Sequence, residues 1–194
     1  MQEIIVTAFM SLDGVMEAPG GEPGYRNSGW TFNGIAFDPA AYEIKGREQA
    51  EAGALLLGRK SYEAFAPVWP EMDEFAEYNA MPRYVVSRTL EHEDARWPAT
   101  ILRSVDEVRA LTEEGEGGPI IVHGSATLGA ALADAGLVDR YHLLVFPVLL
   151  GAGKRLFSKE DKDATHLRVR ESETYANGIQ KLVYDVIGNR IGAP

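Results

Sequence analysis

The stretch from Pro119 to Phe157 limits what this 194-residue chain can fold into more than any other. An apolar run, Ile120-Ile121-Val122, ends in His123-Gly124-Ser125. A helical pattern follows from Ala126 to Ala135, and a second apolar run, Tyr141 to Leu150, ends in Gly151-Ala152-Gly153-Lys154. Strand, tight glycine turn, helix and strand is the minimal unit with which an α/β sheet binds a phosphorylated ligand. Glycine and serine stand where the strand stops and the helix starts, so backbone N–H groups without helical partners are on offer there. The stretch predicts a turn that holds a dinucleotide pyrophosphate, with the rest of the chain completing the site.

The flanking sequence supplies more strands and helices in alternation. Ile4 to Ser11 is a nearly continuous apolar run and predicts a strand buried on both faces. Leu12-Asp13-Gly14 breaks it, and a long loop rich in Gly and Pro runs from Val15 to Phe37. A loop of that length is functional or flexible in most compact chains, and its Trp30 and Phe32 either cap the core or line a site. Asp38-Pro39 opens a helix that Gly53 stops, since Asp caps well and Pro fits the first turn. Ala54 to Leu57 predicts a buried strand. Gly58-Arg59-Lys60-Ser61 then turns into a helix over Tyr62 to Phe65. Two cations at a helix start oppose the helix dipole unless an anion sits between them. Further elements are a short helical turn at Asp73–Asn79, strands at Pro82–Arg88 and Thr100–Leu102, and a helix at Val105–Glu114. After a charged connection at Lys159–Thr165, Leu167–Glu173 predicts a half-exposed strand. Asn177-Gly178 predicts a hairpin into a last strand, Ile179–Ile187. The whole describes a single α/β domain over residues 1–194, a mixed and mostly parallel sheet with helices on both faces.

Composition removes several function classes. A net charge of −10 disfavours general binding to nucleic acid or an anionic membrane surface, but not to a small anion held by clustered cations. Arg59, Lys60, Arg83, Arg88 and Lys154 flank turns and are the candidates. No apolar run spans a bilayer and no signal peptide is visible. The chain has no cysteine, which removes thiolate chemistry and fits a cytoplasmic location. His92, His123, His142 and His166 lack metal-ligand spacing, so no metal is expected. Ser125 lacks the second glycine of a nucleophile elbow, and neither a P-loop nor a Rossmann GxGxxG is present.

Three turns at strand ends remain: Gly58-Arg59-Lys60-Ser61, Ser87-Arg88 and Gly124-Ser125-Ala126-Thr127. Together with Ser11-Leu12-Asp13-Gly14, Leu56-Leu57-Gly58-Arg59-Lys60-Ser61-Tyr62-Glu63, Val85-Val86-Ser87-Arg88, Val122-His123-Gly124-Ser125, Gly136-Leu137-Val138-Asp139 and Pro147 to Phe157, they resemble the dihydrofolate reductase-like superfamily. The similarity is to the branch related to the reductase domain of riboflavin biosynthesis, and it extends over nearly the whole chain.

That resemblance implies a three-layer fold with about eight strands and an NADPH site. Arg59, Lys60, Ser87 and Arg88, with Gly58 and Ser61, would hold the 2′-phosphate end. Gly124, Ser125, Ala126 and Thr127 would hold the pyrophosphate. Ala8, Asp13 and Gly14 would lie against the nicotinamide, with the Trp30 loop as a lid. The substrate, a small flat conjugated molecule of pterin, pyrimidine or quinone type, would be walled by Trp30, Phe37, Tyr42, Trp69 and Phe146. Glu43 is the candidate for the helix carboxylate that binds the pterin in dihydrofolate reductases, and His123 is either a proton donor or a strand-end histidine bonded to backbone. The riboflavin branch commonly has Glu-Gly-Gly where this chain has His123-Gly124-Ser125, and a basic residue where it has Val15. Both departures argue against the riboflavin-pathway substrate. The resemblance implies NADPH-dependent reduction and a possible homodimer. The alternative is a binding module that keeps the nucleotide site without catalysis.

Overall fold

A computed structural model describes residues 1–157 and 164–187 of the chain. Strand β1 (Ile4–Ser11) is followed by helix α1 (Pro39–Glu51), β2 (Ala54–Gly58), α2 (Arg59–Phe65), α3 (Ala76–Ala80), β3 (Arg83–Val86) and β4 (Thr100–Leu102). Then come α4 (Val105–Glu114), β5 (Ile120–His123), α5 (Ala126–Asp134), β6 (Arg140–Phe146), β7 (Leu167–Thr174) and β8 (Gln180–Val186). The charged connection expected from Lys159 lies, as far as residue 163, outside the described residues.

All eight strands join one sheet in the order β4-β3-β2-β5-β1-β6-β8-β7. The first six run parallel, and β8 pairs antiparallel with both β6 and β7. The central strands are apolar on both sides because both sides are covered. On one side Ile4, Val6 and Ala8 pack with Leu56, Val122 and with Val108 of α4 and Leu128 and Leu132 of α5. On the other, Ile5, Leu55 and Leu57 meet Tyr62 of α2, Tyr78 of α3 and Trp69 and Trp97. Further along that side Ala41 and Ile44 of α1 close over Leu144, Phe146, Ile179 and Val183 together with Trp30.

Local chemistry sets the boundaries. Asp38 caps α1 by accepting the Ala40 N–H at 3.1 Å, and Pro39 occupies the first turn. Ser104 caps α4 while Glu107 reaches back to the Arg103 N–H at 2.9 Å. Strand β6 ends at Phe146, short of the expected Leu150, because Pro147 has no N–H to continue the ladder. Helix α2 starts at Arg59, three residues earlier than its expected Tyr62, so both cations lie in its first turn. Strand β7 is exposed along almost its whole length rather than half-exposed, since it is the sheet's last strand and Arg47 of α1 reaches it only through an ion pair with Glu171 at 3.0 Å. A register shift between Val169 and Glu171 and its alternating charges protect that edge from pairing with other chains.

The links into β2 and β5 touch each other. Gly53 donates its N–H to the Pro119 carbonyl at 2.9 Å, and a methyl group added at Gly118 would stand 2.1 Å from the Glu51 carbonyl oxygen. That oxygen is backbone and cannot swing away. Gly118→Ala is therefore expected to destabilise the protein by about 1–3 kcal/mol, the usual range for overpacking. Urea unfolding measures this, and unchanged stability would show that the two links are free to separate.

Candidate active site

The carboxyl ends of the parallel strands gather three turns on one edge of the sheet, the place where open α/β sheets bind ligands. After β5, Gly124 and Ser125 both take left-handed backbone conformations, each with φ of 61°. Ser125 makes no side-chain bond to its own helix. Its hydroxyl instead accepts the Gly58 N–H at 3.0 Å and lies 2.9 Å from the Ser61 hydroxyl. One side chain thus ties the turn before α5 to the turn before α2. It leaves the first amides of α5, at Ala126 and Thr127, without a side-chain cap. A helix start with free amides and a partial positive charge fits a phosphate. The Gly58 amide, by contrast, is already occupied.

The turns after β2 and β3 are cationic. Arg59 bonds the Thr89 hydroxyl at 3.0 Å, which brings the ends of β2 and β3 together, and Lys60 and Arg88 are exposed beside them. Ser87 is buried, and its hydroxyl accepts the Thr89 and Leu90 N–H groups at 3.2 and 2.9 Å, shaping the turn. Arg103, which the sequence reading missed, donates to the Ser87 and Leu90 carbonyls at 2.9 and 2.6 Å. It follows β4 directly, as Arg59 follows β2, and that repeated position was its available signal. Arg83 serves the fold instead, donating to the carbonyls of Tyr78, Asn79 and Met81 with its guanidinium over Trp97. Lys154 lies beside Glu17 on another loop.

Several candidates sit elsewhere than expected. Asp13 accepts the Ser11 hydroxyl at 2.6 Å and the N–H groups of Leu150 and Gly151 at 3.1 and 2.8 Å. These bonds, the Ser11 one first, lower its carboxyl to about 2, so near neutrality it has no proton to give. Its role is to knit the turn after β1 to the loop after β6, helped by Arg155, whose guanidinium donates to the Asp13 and Gly151 carbonyls. Gly14 follows with φ of 83°. Ala8 points its side chain into the core on the α4–α5 side and offers only backbone to the opposite cleft. Trp30 is buried against Phe146, ring centroids 5.3 Å apart, and donates its indole N–H to the Glu17 carbonyl at 2.8 Å. It anchors its loop rather than standing over a cleft. Phe146 is fully buried, so the segment after it turns to the Asp13 loop and not to a pocket.

Glu43 is exposed on α1, and Glu48 is the glutamate that faces the sheet. It meets a row of three side chains set by strand register: His123 on β5, Thr7 on β1 and His142 on β6. Glu48 Oε1 accepts from the Thr7 hydroxyl and from His142 Nδ1, both at 2.9 Å, and Lys45 Nζ lies 3.3 Å from Oε2. Lys45 also donates to the Thr7 hydroxyl. Burial by itself raises the Glu48 carboxyl, but the Lys45 ammonium and the His142 bond outweigh it and hold the group ionised, at about 2. The signal in the sequence was a polar residue inside each of two apolar strands, Thr7 and His142. Such groups require partners once buried.

The expected aromatic walls divide on either side of this network. Phe37 stacks on Tyr42 at 5.2 Å, Tyr42 meets Phe9 at 5.8 Å, and Phe9 meets Phe146 at 5.6 Å. Trp69 lies on the other side, stacked between Phe65 and Phe75 at 4.1 and 4.0 Å. There His123 stands edge-on to Phe65, Trp69 and Tyr78, and its Nδ1 is buried without a hydrogen-bond partner. Burial, and then the nearby Lys45, push its pKa down to about 3. The ring is neutral at physiological pH and is no imidazolium donor. Two surface depressions, of about 360 Å³ beside α3 and about 260 Å³ between α2 and the turn at residues 90–94, are lined by none of the candidate residues.

Sheet order and the mixed eight-stranded arrangement with an antiparallel C-terminal pair define a protein of dihydrofolate reductase-like fold. The chain belongs to the RibD C-terminal domain family, which matches residues 2–181. It is 26% identical over 190 residues to the uncharacterized protein YyaP of Bacillus subtilis (strain 168), covering 94% of both chains. Its fold is similar to that of a putative riboflavin biosynthesis protein from Shewanella sp. PV-4, with a TM-score of 0.76 at 18% identity over 95% of this chain and 99% of that one. It is also similar to a pyrimidine reductase-like protein from Corynebacterium diphtheriae, with a TM-score of 0.63 at 14% identity over 96% of this chain and 92% of that one.

The buried imidazole gives a pH test. The His123 pKa is lowered on folding, so its contribution to stability is complete above the unfolded value of 6.5 and is lost as pH falls toward about 3. Stability should drop by about 2 kcal/mol between pH 7 and pH 5, near 1.4 kcal/mol per pH unit below 6.5. In His123→Phe that slope should be largely absent. Denaturant unfolding at the two pH values compares them, and equal slopes would place the acid sensitivity elsewhere.

Proposed function

We propose that the protein is an NADPH-dependent reductase acting on a small, flat, conjugated molecule. The observation that carries this is the pairing, on one edge of the sheet, of an uncapped helix start with four cations in a chain of net charge −10. The free amides at Ala126 and Thr127 suit a pyrophosphate. Arg59, Lys60, Arg88 and Arg103 suit a further phosphate on the ribose, which a guanidinium can grip through two parallel bonds. Membership of a reductase-like family and the match to a pyrimidine reductase-like fold support the same reading.

The bound cofactor would supply the hydride; the protein supplies position and dryness. Ser125 fixes the spacing between the two phosphate-binding turns. Asp13 and Arg155 hold the loops after β1 and β6 together, and Phe9, Tyr42 and Phe37 offer ring faces to a flat ligand. A second reading, a nucleotide-binding module without turnover, is favoured by one observation: near pH 7 Asp13 is ionised and His123 is neutral, so neither is in its acid form.

Titration of NADPH fluorescence tests the cofactor site. Arg59→Ala should weaken NADPH about tenfold or more, the effect of losing a charge-assisted bond, and leave NADH nearly unchanged. Equal losses for both would refute the assignment of Arg59 to the 2′-phosphate, and absence of NADPH binding would refute the reductase. Binding without oxidation of NADPH across pterins, pyrimidines and quinones would favour the module.

A further inference from the structure

We propose that Asn33 is a site of spontaneous covalent modification, at which the Gly34 backbone nitrogen closes on the side-chain amide to form a succinimide that water opens to isoaspartate or aspartate. The inference depends on neither the cofactor nor the substrate. It rests on a contrast between two Asn-Gly pairs, Asn33-Gly34 in the long loop before α1 and Asn177-Gly178 in the turn between β7 and β8.

Closure forms a bond from the glycine nitrogen to the asparagine Cγ and breaks the Cγ–Nδ2 bond. Ammonia leaves, taking the proton that the glycine amide gives up. Water then adds to one of the two ring carbonyls and opens the ring, with no oxidant or reductant involved. Glycine favours the first step because it has no side chain to crowd the approach. The asparagine amide must also swing onto the next nitrogen, and that N–H must be unengaged, since an intramolecular attack runs only from a near-attack geometry.

The two pairs share this chemistry and differ in their surroundings. The Asn177 amide is held at both atoms: Nδ2 donates to the Ala36 carbonyl at 2.9 Å and Oδ1 accepts the Ile179 N–H at 3.1 Å. The Gly178 N–H donates to the Tyr175 carbonyl at 2.9 Å, and a methyl group added at Gly178 would stand 3.1 Å from Pro147. Closure there requires the turn to open first. Asn33 and Gly34 are both exposed. Neither the Asn33 amide nor the Gly34 N–H has a hydrogen-bond partner among the described residues, and a methyl group added at Gly34 would meet nothing within 4 Å. The other described asparagines precede larger residues and are engaged. Asn79 bonds the Trp69 carbonyl and the Trp97 indole, both at 2.8 Å, and the Asn27 amide lies 3.5 Å from the Tyr25 hydroxyl. The Asn33 pair also sits between two anchors. Thr31 donates its hydroxyl to the Pro19 carbonyl at 2.7 Å, and Ala36 accepts from Asn177. Isoaspartate places one extra carbon in the main chain between those anchors. Either product adds a negative charge to the loop that carries the exposed Phe32 and Phe37.

Trypsin separates the two pairs, placing Asn33 in the peptide 27–45 and Asn177 in the peptide 171–181. The native protein is held in mildly alkaline buffer, sampled over days and digested under mildly acid conditions, where closure is slow. Mass spectrometry then follows the change from amide to acid in each peptide. Asn33 should convert several-fold faster than Asn177, with isoaspartate among its products. In guanidinium chloride, where neither amide is held, the two rates should draw together. In Asn33→Gln, whose larger ring closes far more slowly, the peptide 27–45 should keep its mass. Similar rates for the two pairs in the native protein overturn the proposal. So does a difference that persists undiminished in denaturant, since it would then come from the flanking residues and not from the fold. Conversion of the 27–45 peptide at an unchanged rate in Asn33→Gln overturns it too, by moving the site to Asn27.

Discussion

The contact between Glu48 and the centre of the sheet sets the terms for the rest of the structure. An ionised carboxylate without water would be very unfavourable here, and three groups make it tolerable: Lys45, Thr7 and His142. Two of these come from adjacent strands at one level of the register. The carboxylate is satisfied only when α1 sits over β1 with one rotation about its own axis. That rotation turns Ala41 and Ile44 into the core, leaves Glu43 in solvent and puts Lys45 at the rim. A purely apolar helix face would allow α1 to slide or rotate with little penalty, since hydrophobic burial has no direction. The buried charge removes that freedom.

A comparable device fixes the other end of the molecule. Two loops that would otherwise be independent are joined by Asp13 and Arg155, and two turns by the Ser125 hydroxyl. In each case a polar side chain bonds to a neighbouring segment as well as to its own. Ser125 is the clearer instance, because a serine before a helix ordinarily caps it. Here the left-handed backbone at Ser125 directs the hydroxyl to Gly58, and the uncapped helix start is the consequence. The free amides of that turn are thus the product of a structural bond made elsewhere.

Much of the fold was legible in the sequence for local reasons. The cap at Asp38-Pro39, the helix at Val105–Glu114, the Asn177-Gly178 turn and the continuous apolar runs of β1, β2 and β5 depend on neighbours a few residues away. The turn at Gly124-Ser125 and the cations after β2 and β3 were legible for the same reason. The substrate side was not. Glu43 and Glu48 differ in sequence context by almost nothing, and only the position of α1 over the sheet separates them. Of the two loop aromatics read as costly to expose, Trp30 enters the core and Phe32 stays 64% exposed, while of the expected walls Phe146 is buried and Trp69 joins a different cluster. His123 was assigned a choice between acid and backbone partner and takes neither, because ring packing by Phe65, Trp69 and Tyr78 decides its surroundings.

This division has a physical cause that bears on how such a protein changes function. The turns after β2, β3 and β5 are built from backbone amides and surface cations, so each contributor can be altered singly without disturbing the core. The Glu48 network is closed instead: the carboxylate is bonded to Thr7 on β1, to His142 on β6 and to Lys45 on its own helix. Removing one member strands a charge, which is far more damaging than the value of the bond lost. A change inside this network therefore requires coordinated replacement of several residues across α1, β1 and β6, whereas a change at Tyr42 or Phe37 leaves Glu48 bonded to Lys45, Thr7 and His142. The exposed rings can vary within one fold, and the buried carboxylate is the fixed point around which they vary.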